Sequence, residues 1–409
     1  MPCVRPAAVR LSNGALLHTV CAGVQEVVRV SLVFEAGSRF QRHALEAGAT
    51  LALLSEGAGR FSGAQVAENF DFLGSSYEQH LDKDFAMLTV YSLTRQLQKT
   101  LDTLSEIALH PTFPDAALRT YCAKRAQQLR ISKERVAYVA REQLPALLYG
   151  RSHPYGAYAE PEQYAELTRE WLQRFHAACF TANRCFAVAT GKVGEREQKM
   201  MADFFEHIPC APGATPPPPP PPAGEPPGKS VAIEKRGALQ SALRVGRVMF
   251  GKSHPDFAAA HLLTVALGGY FGSRLMQNIR ESKGYTYGIF ASLITCRHTG
   301  YLSIGAEVGT AVCRATLAEI SRELQRLCDE PIPDDELKLV KNHLCGEIMR
   351  STDGPWALAE SLIEDLQNGL TKSYAETLFD AIKSISADQL QQVAQKYFQP
   401  QSMTSVTVG

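Results

Sequence analysis

The sequence predicts an α+β fold of two homologous α/β-roll halves that face each other across a proline-rich linker. In each half we expect an antiparallel-rich sheet covered by helices. Three observations support this prediction. The chain has 409 residues, which is too long for one ordinary hydrophobic core. Seven consecutive prolines, Pro216–Pro222, divide it near the middle. Strand-like and helical segments follow a similar order on both sides of that run.

The N-terminal half, residues 1–210, begins with short β-rich segments. Asn13-Gly14 marks a tight hairpin between the first two of them. An apolar helix is predicted over Ala44–Leu54, and the next over Gly63–Phe72. Long helices and a closing strand at Cys185–Gly191 complete the half.

Residues 211–229 form the predicted linker, which reads APGATPPPPPPPAGEPPG up to Gly228. A proline run of this kind cannot enter a helix interior or a central strand. It favours a stiff polyproline spacer of about 3 Å per residue. A proline-rich ligand for a small recognition domain is the alternative interpretation, but a spacer fits better between two domain-sized segments.

The C-terminal half, residues 230–409, repeats the pattern of the first. The run LSEIALHPTFPDAALRTYCAKRAQQLR resembles EISRELQRLCDEPIPDDELKLVKNHLCGEIMR. Each reads as a helix, a proline-bearing turn, an acidic N-cap region and a second helix. The repetition indicates two related modules.

Composition and charge exclude several classes of protein. Apolar residues make up 45% of the chain and charged residues 21%, as in folded globular proteins. The 42 basic residues balance 42 acidic ones, so neither a nucleic-acid groove nor an anionic membrane surface is indicated. No apolar run is long enough for a membrane-spanning helix. The ten cysteines form no CxxC pair, which favours reduced, packed thiols over a disulfide scaffold or a zinc knuckle.

The beginning of the chain is not a secretory leader as written, because no apolar segment precedes a cleavage site. The compartment is therefore not indicated. It is cytoplasmic by the sequence as given, and periplasmic if a leader has been removed.

The stretch Gly268–Gly288 reads GGYFGSRLMQNIRESKGYTYG and organises the C-terminal half. Gly268-Gly269 and Gly272-Ser273 indicate turns or close backbone approaches. A helical turn that ends near Arg280 follows, and Gly284 lies where a left-handed helix cap is expected. Tyr285, Thr286 and Tyr287 begin a run of strand-forming residues. We expect this element to fold Arg280 and Tyr287 back towards each other, where they could hold a backbone carbonyl.

With these motifs the chain resembles the pitrilysin/insulysin superfamily of inverted-zinc metallopeptidases, in particular its short, processing-peptidase-like branch. The resemblance covers nearly the whole chain. It rests on Gly37-Ser38-Arg39 after a strand, on the loop Ser152–Gly156 (SHPYG), and on Gly268–Gly288.

In that family a catalytic chain carries HxxEH on the first helix after the GSR turn. The two histidines share one helical face and bind one zinc ion, and the glutamate acts as the general base. This sequence lacks that motif. One alignment places Gly48, Leu51 and Ala52 at the three positions, and a shifted one places Leu51, Leu54 and Ser55 there.

The other candidate metal-binding residues in the sequence are also unsuited to zinc. The later helix offers Lys124, Arg125, Gln127 and Gln128 where the family's distal glutamate is sought. His43 and Glu46 read as a turn or surface pair. His343 and Glu347 have the spacing of a helix-face contact. We therefore predict that this chain binds no metal.

The resemblance implies a role for the second half of the site. In the family an arginine and a tyrosine seven residues apart complete the active site, and Arg280 and Tyr287 match that pattern. The implied role is to hold the substrate backbone and to stabilise the oxyanion. Gly268, Gly269 and Tyr285 are the predicted substrate-binding neighbours. In the alternative interpretation, Arg280 caps its helix and Tyr287 packs on the sheet.

These features together predict the non-zinc subunit of a heterodimeric zinc peptidase. A homologous partner would carry HxxEH and the zinc, and the substrate would be an extended peptide. The chain alone is predicted to be inactive. Two alternatives remain open: a structural core subunit of a larger assembly, and a homodimeric peptide-binding or chaperone-like clamp.

Overall fold

A computed structural model describes residues 6–211, 220, 228–370 and 374–409. Most of the predicted linker lies outside the described residues. The chain forms two compact units, and each contains segments from both sides of that linker. The first unit consists of residues 1–129, 159–218 and 350–367. The second consists of residues 130–158, 219–349 and 368–409.

The first unit contains a six-stranded sheet with the order β1-β2-β8-β3-β7-β6 and a small separate hairpin, β4-β5. All neighbours in the large sheet are antiparallel except β2 and β8. The strands are β1 (Ala7–Arg10), β2 (Leu16–Cys21), β3 (Val27–Phe34), β4 (Gly57–Ala58), β5 (Phe61–Ser62), β6 (Ser76–Leu81), β7 (Ala86–Leu93) and β8 (Cys185–Gly191). The β1-β2 hairpin confirms the turn predicted at Asn13-Gly14, where Gly14 has φ +87°.

Helices cover both faces of this first sheet. The helices of the unit are α1 (Glu46–Leu53), α2 (Gly63–Leu73), α3 (Leu97–Leu109), most of α4 (Asp115–Lys133), α6 (Arg169–Cys179), α7 (Glu195–Glu206) and α11 (Gly354–Gln367). Most of them bury their apolar sides on one face of the sheet. On the opposite face, Leu362 and Ile363 of α11 pack on Val33 and Val188. Helix α7 was not predicted from the sequence.

The second unit contains a five-stranded sheet with the order β11-β12-β10-β13-β9, in which only β13 and β9 are parallel. Its strands are β9 (Ser230–Ile233), β10 (Gln240–Met249), β11 (Ile289–Thr295), β12 (Gly300–Gly309) and β13 (Thr404–Val408). The order matches the run β6-β7-β3-β8-β2 of the first unit, including the place of the parallel pair. Strand β9 was not predicted.

Two groups of helices cover this second sheet. The helices are α5 (Val136–Tyr149), α8 (Phe257–Thr264), α9 (Cys313–Asp329), α10 (Asp334–Arg350), α12 (Tyr374–Ser384) and α13 (Ala387–Tyr397). The last five form the larger core with the inner side of the sheet. Helix α5, from the N-terminal part of the chain, packs its Ala140 and Leu144 against Ala242 and Val406 on the other side.

The predicted α+β class with antiparallel-rich sheets is confirmed. The predicted domain boundaries follow the order of the chain, whereas the packing exchanges two helices: α5 completes the second unit and α11 the first.

Two further properties bear on the sequence predictions. In the described part of the chain no helix has the length and apolar character needed to cross a membrane. The nine cysteines described form no disulfide bond with one another, and Cys21 and Cys210 are exposed rather than packed.

Candidate functional site

The Gly268–Gly288 stretch begins at the end of one π-helical segment, where Gly268 has non-helical backbone angles, and continues through a second π-helical segment and a loop that leads into β11. Helix α8 continues into the first segment, Val265–Gly269, and the second covers Met276–Ser282. In the second segment the Lys283 N–H donates to the carbonyl of Asn278, five residues back, over 3.1 Å. Single π-helical turns are rare and are frequent at functional sites. The predicted left-handed cap is confirmed, because Gly284 has φ +64°.

Gly268 lets this stretch approach the sheet closely. A Cβ atom at Gly268 would lie 2.6 Å from the backbone nitrogen of Ala291 on β11. No side chain fits in that space, so the close approach predicted for Gly268 is confirmed. Gly268 is buried and Gly269 is exposed. Their predicted contact with substrate stays a prediction.

Arg280 and Tyr287 are both accessible, but their side chains do not touch each other. The Arg280 guanidinium lies 4.7 Å from the ring centre of Phe271, and its Nη1 lies 3.5 Å from the Glu281 carboxylate. The Arg280 side chain is 33% exposed, whereas Tyr287 is 94% exposed. In the described residues no hydrogen bond or ring contact joins the two, so the arginine rests on Phe271 instead.

The tyrosine is therefore not packed on the sheet, which removes one part of the alternative interpretation. Phe271 is itself 60% exposed, and the sequence analysis missed it. An aromatic residue between two glycine turns reads as a core residue, and only the fold shows that it faces solvent.

The run of strand-forming residues that begins at Tyr285 does lead into a strand, but β11 itself begins only at Ile289. The hydroxyl of Thr286 lies 2.9 Å from the carbonyl oxygen of Gly288 and 2.7 Å from that of Glu307. The Thr286 hydroxyl thus satisfies backbone carbonyl groups that would otherwise pair in the hydrogen-bond ladder between two strands. Tyr285 is half-buried and packs against the second core, and its role in binding substrate stays a prediction.

A polar network holds the second π-helical segment on α9. The amide nitrogen of Asn278 donates to Glu319 over 3.1 Å and to Glu323 over 2.7 Å, and both carboxylates are buried. Burial alone would raise the pKa of Glu319. The hydrogen bond from Asn278 and the charges of Arg322 and Lys283 outweigh it, so the pKa lies below its usual value. Asn278 therefore fixes the backbone that carries Arg280.

The first unit places apolar and aromatic groups where the family motif would carry zinc ligands. On α1, Leu51 is 4% exposed and Leu54, just after the helix, is fully buried. A Cβ atom at Gly48 would lie 3.7 Å from Leu81 of β6 and 3.8 Å from the hydroxyl of Tyr121 of α4. Burial is the main reason why the pKa of Tyr121 is raised. The space beside Gly48 of α1 is therefore filled by the Leu81 side chain and the Tyr121 phenol.

The residues of α4 suggested by the sequence are equally unsuited to a metal. The Arg125 guanidinium lies 5.6 Å from the ring centre of Tyr121, and its Nη1 lies 3.3 Å from the side-chain oxygen of Gln128. Across the described residues no group of three or more histidines, cysteines, aspartates or glutamates could hold a metal ion. Zinc requires nitrogen, sulfur or carboxylate ligands, so these residues do not fit the ion.

The two remaining histidine pairs are explained by packing. His43 stacks on Trp171 at 3.6 Å, and Glu46 accepts backbone N–H groups of Arg42 and His43. The turn interpretation therefore applies, but Glu46 is buried and not on the surface. His343 and Glu347 lie 3.5 Å apart on α10, as predicted for a helix-face contact.

Comparison with known proteins finds relatives of both halves of the chain. Residues 21–156 match the family described as insulinase (peptidase family M16). Residues 166–344 match the description "Peptidase M16 inactive domain". The zinc protease YmxG of Bacillus subtilis, itself uncharacterized, is 22% identical over 83% of this chain and 81% of its own length. An uncharacterized zinc protease of Rickettsia felis is 20% identical over 98% of this chain and 96% of its own length.

Solved structures share the fold. A peptidase M16 inactive domain from Pseudomonas fluorescens superposes with a TM-score of 0.92 at 24% identity, covering 99% of this chain and 98% of its own. A protease from Helicobacter pylori gives 0.90 at 16% identity, covering 99% of each chain. The periplasmic protease PqqL of Escherichia coli gives 0.83 at 15% identity, and the match spans 98% of this chain but 45% of PqqL.

The fold and the residues of the site define a peptidase-like chain without a zinc-binding motif. The chain belongs to the M16 peptidase family, whose two matching regions cover most of its length. The HxxEH motif that defines a catalytic zinc site in this family is absent from its sequence.

Proposed function

We propose that this protein is the non-zinc subunit of a heterodimeric zinc peptidase. Its partner would be a homologous chain that carries HxxEH and the zinc ion. This chain would contribute Arg280 and Tyr287 to the substrate. The observation that carries the proposal is a contrast: the motif positions on and just after α1 hold no residue that binds zinc, whereas the Gly268–Gly288 element keeps Arg280 and Tyr287 accessible.

The chemistry of the two side chains suits a peptide carbonyl. A guanidinium and a phenol both offer hydrogen-bond donors, and fixed donors stabilise the negative charge that develops on a carbonyl oxygen during peptide cleavage. The zinc chemistry itself would belong to the partner. Arg280 forms an ion pair with Glu281 over 3.5 Å, but both side chains are partly exposed, and such a surface pair contributes little, so a substrate can compete for the guanidinium.

The exposed position of Tyr287 supports a role at an interface or with a ligand. A tyrosine that is 94% exposed contributes little to the stability of its own unit. The loop that carries Tyr287 is held by the hydrogen bonds of the Thr286 hydroxyl and begins at the left-handed Gly284. The phenol is therefore presented on an ordered loop.

The first experiment tests whether activity requires two chains. We expect the purified protein alone to bind substoichiometric zinc by elemental analysis and to cleave no fluorogenic peptide. Mixed with an HxxEH chain of similar length from a neighbouring reading frame, it should give activity that a chelator abolishes. Chelator-sensitive cleavage by the lone chain would contradict the proposal.

The second experiment tests the two side chains in the reconstituted pair. Replacing Arg280 by Ala should lower kcat by roughly a hundredfold, because one charged donor to the oxyanion is lost. Tyr287→Phe should lower it by about tenfold, the effect of one neutral hydrogen bond. Arg314→Gln removes an exposed arginine on α9 and is the matched control, with unchanged turnover expected. Full activity in the Arg280→Ala/Tyr287→Phe double variant would instead favour the scaffold alternative.

A further inference from the structure

The second sheet leaves part of one face uncovered. Helix α5 packs over β10 and β13 on this face. Its Leu144 lies so close to Gly246 that a Cβ atom on the glycine would be 3.2 Å from the leucine side chain. Strand β11 lies beyond the helix, at the edge of the sheet. Its side chains on this face include Phe290, which is 56% exposed, and Ile294, which is 37% exposed. A shallow groove therefore runs between α5 and β11.

An arginine lies in the floor of this groove. Phe290, Gly305 and Arg244 are directly opposite one another on β11, β12 and β10. Gly305 has no side chain, and the Arg244 guanidinium occupies the space above it. A Cβ atom at Gly305 would lie only 2.2 Å from Nη1 of Arg244. The guanidinium thus extends from β10 over Gly305 of β12.

Arg244 is held in place without an acidic partner. Its Nη1 donates to the carbonyl of Leu243 over 2.9 Å, and no carboxylate of the described residues lies within ion-pair distance. Burial is the main reason why the pKa of Arg244 is lowered. The charge of Glu307 opposes this effect and that of Arg141 adds to it. A half-buried guanidinium has lost hydration that a bound anion would replace.

A second arginine and a tyrosine lie beside Arg244. Arg141 is exposed on α5, where its guanidinium is 5.3 Å from the ring centre of Tyr138. Its charge acts on Arg244 and also on Tyr301, four residues from Gly305 on the same strand and face. Glu307 is the acidic group whose charge acts on Arg244, so among these described residues two arginines face one carboxylate around Gly305.

We propose that this arginine groove, defined by Arg141, Arg244, Tyr301, Gly305 and Phe290, binds a carboxylate of a peptide. The peptide crosses the free edge of β11 with apolar side chains against Phe290 and Ile294. Its acidic group lies over Gly305, within reach of both guanidinium groups. The proposal deepens the peptide-binding role proposed above, on which it rests, by naming the substrate class as acidic peptides.

A peptide fits this groove better than a free anion for two reasons. The exposed side chains at the entrance are apolar, and they favour a ligand with its own apolar groups. In the described part of the chain β11 pairs with β12 alone. Met276 accepts the Ile289 N–H and Gly268 lies against Ala291, so an extended segment would pair with the edge beyond Ala291. The carboxylate has two possible sources, an acidic side chain or the C-terminus of the peptide.

Fluorescence anisotropy with the full chain and short labelled peptides tests the proposal. The peptides share one apolar sequence and differ in two ways: Glu against Gln at one position, and a free against an amidated C-terminus. We expect about tenfold tighter binding for the peptide with the recognised carboxylate, the strength of a charge-assisted hydrogen bond. The preference should weaken as salt is added. The two arms identify which carboxylate is bound.

Four variants separate the effect of the arginine charges from the effect of the position of the Arg244 guanidinium. Arg244→Gln should abolish the preference, and Arg141→Gln should weaken it. Gly305→Ala changes no charge but displaces the Arg244 guanidinium, so it should abolish the preference as well. Arg314→Gln, which removes an exposed arginine elsewhere in the unit, should leave it intact. Circular dichroism and thermal unfolding identify any variant that fails to fold.

Equal binding of acidic and neutral peptides by the wild-type chain would overturn the proposal. So would a preference that survives in both Arg244→Gln and Gly305→Ala. The assay needs neither a partner nor turnover, and it varies neither Arg280 nor Tyr287. Its failure can therefore be told apart from the failure of the heterodimer proposal, which is measured by cleavage.

Discussion

Phe271 is the side chain that sets the position of Arg280. Its ring lies 4.7 Å from the guanidinium, and no hydrogen bond to the backbone fixes the arginine in the described residues. An exposed cation–π contact contributes about 0.5–1 kcal/mol, which is enough to favour one side-chain orientation. A flexible arginine loses more conformational entropy when it binds substrate. The contact therefore prepares Arg280 for its proposed role.

Phe271→Leu tests this positioning role in the reconstituted pair. We expect kcat to fall by roughly threefold to fivefold, which corresponds to the loss of about 0.5–1 kcal/mol of orientation. KM should change little, because Arg280 itself is still present. Phe72→Leu makes the same change at a phenylalanine that is 84% exposed on α2 and should have no effect. A loss of binding without a loss of kcat would argue against positioning.

Which residues belong to the candidate site could be predicted from the sequence more readily than which side chains surround them or face solvent. The spacing of Arg280, Gly284 and Tyr287 is local, and it was sufficient to propose these positions. Phe271 and Arg244 become functional candidates only through what surrounds them: a neighbouring guanidinium in one case, and a glycine on an adjacent strand in the other. Such contacts between distant or irregular segments have no signature in a local pattern.

At the scale of elements, the π-helical segment Met276–Ser282 depends on its attachment to α9. Asn278 satisfies two buried carboxylates, Glu319 and Glu323, with one amide group. Without the Asn278 amide, these carboxylates would keep the more exposed arginines of α9 as partners, Arg322 for Glu319 and Arg326 for Glu323. Leaving a buried polar group without its donor costs about 1–3 kcal/mol.

Replacing Asn278 by Leu should therefore lower the free energy of unfolding by about 1–3 kcal/mol at pH 7. The effect should depend on pH. A carboxyl group with a lowered pKa stabilises the fold above its unfolded pKa, and this contribution is lost as the pH falls through the folded value. The difference between variant and wild type should shrink below about pH 4. Denaturant unfolding at several pH values measures it.

Gln277→Leu is the matched control, since Gln277 is the exposed neighbour on the same segment. It should leave the free energy of unfolding almost unchanged at every pH. A pH-independent loss in Asn278→Leu would mean that packing, and not the Glu319 carboxylate, accounts for the effect.

Element type was predicted better than element ends. The helix and the Gly284 cap follow from apolar spacing and from the freedom of glycine. The start of β11 was missed because β propensity at Tyr285–Tyr287 was overridden by the hydrogen bonds of Thr286. The π-helical geometry was also missed, since its apolar spacing over one turn resembles that of an α-helix.

For the whole molecule, the exchange of α5 and α11 predicts how fragments behave. Residues 1–211 alone would lack α11 and would leave Val33, Val188 and their apolar neighbours uncovered. Leu362 and Ile363 are each buried, and each such side chain contributes about 1.5–3 kcal/mol. The fragment should bind a hydrophobic dye and unfold at a lower denaturant concentration than the first unit does in the full chain.

A synthetic peptide covering residues 350–370 should reverse both effects by occupying the exposed face. The same peptide with Leu362→Asp and Ile363→Asp is the control and should not. If residues 1–211 were as stable alone as within the full chain, the packing of α11 would contribute little. Sequence reasoning placed the domain boundaries along the chain and could not foresee this exchange, because amphipathic helices do not encode which sheet they cover.

The position of α11 in the chain has a consequence for biosynthesis. All strands of the first sheet are present once Gly191 has left the ribosome, but their covering helix ends at Gln367. At about 5–20 residues per second, roughly 9 to 35 seconds separate the two events. During that interval one apolar face of a nascent sheet is open to solvent or to a chaperone. A ribosome that stalls between these positions would therefore release a chain prone to aggregation, whereas one that stalls shortly after Gln367 would release a first unit with both faces covered.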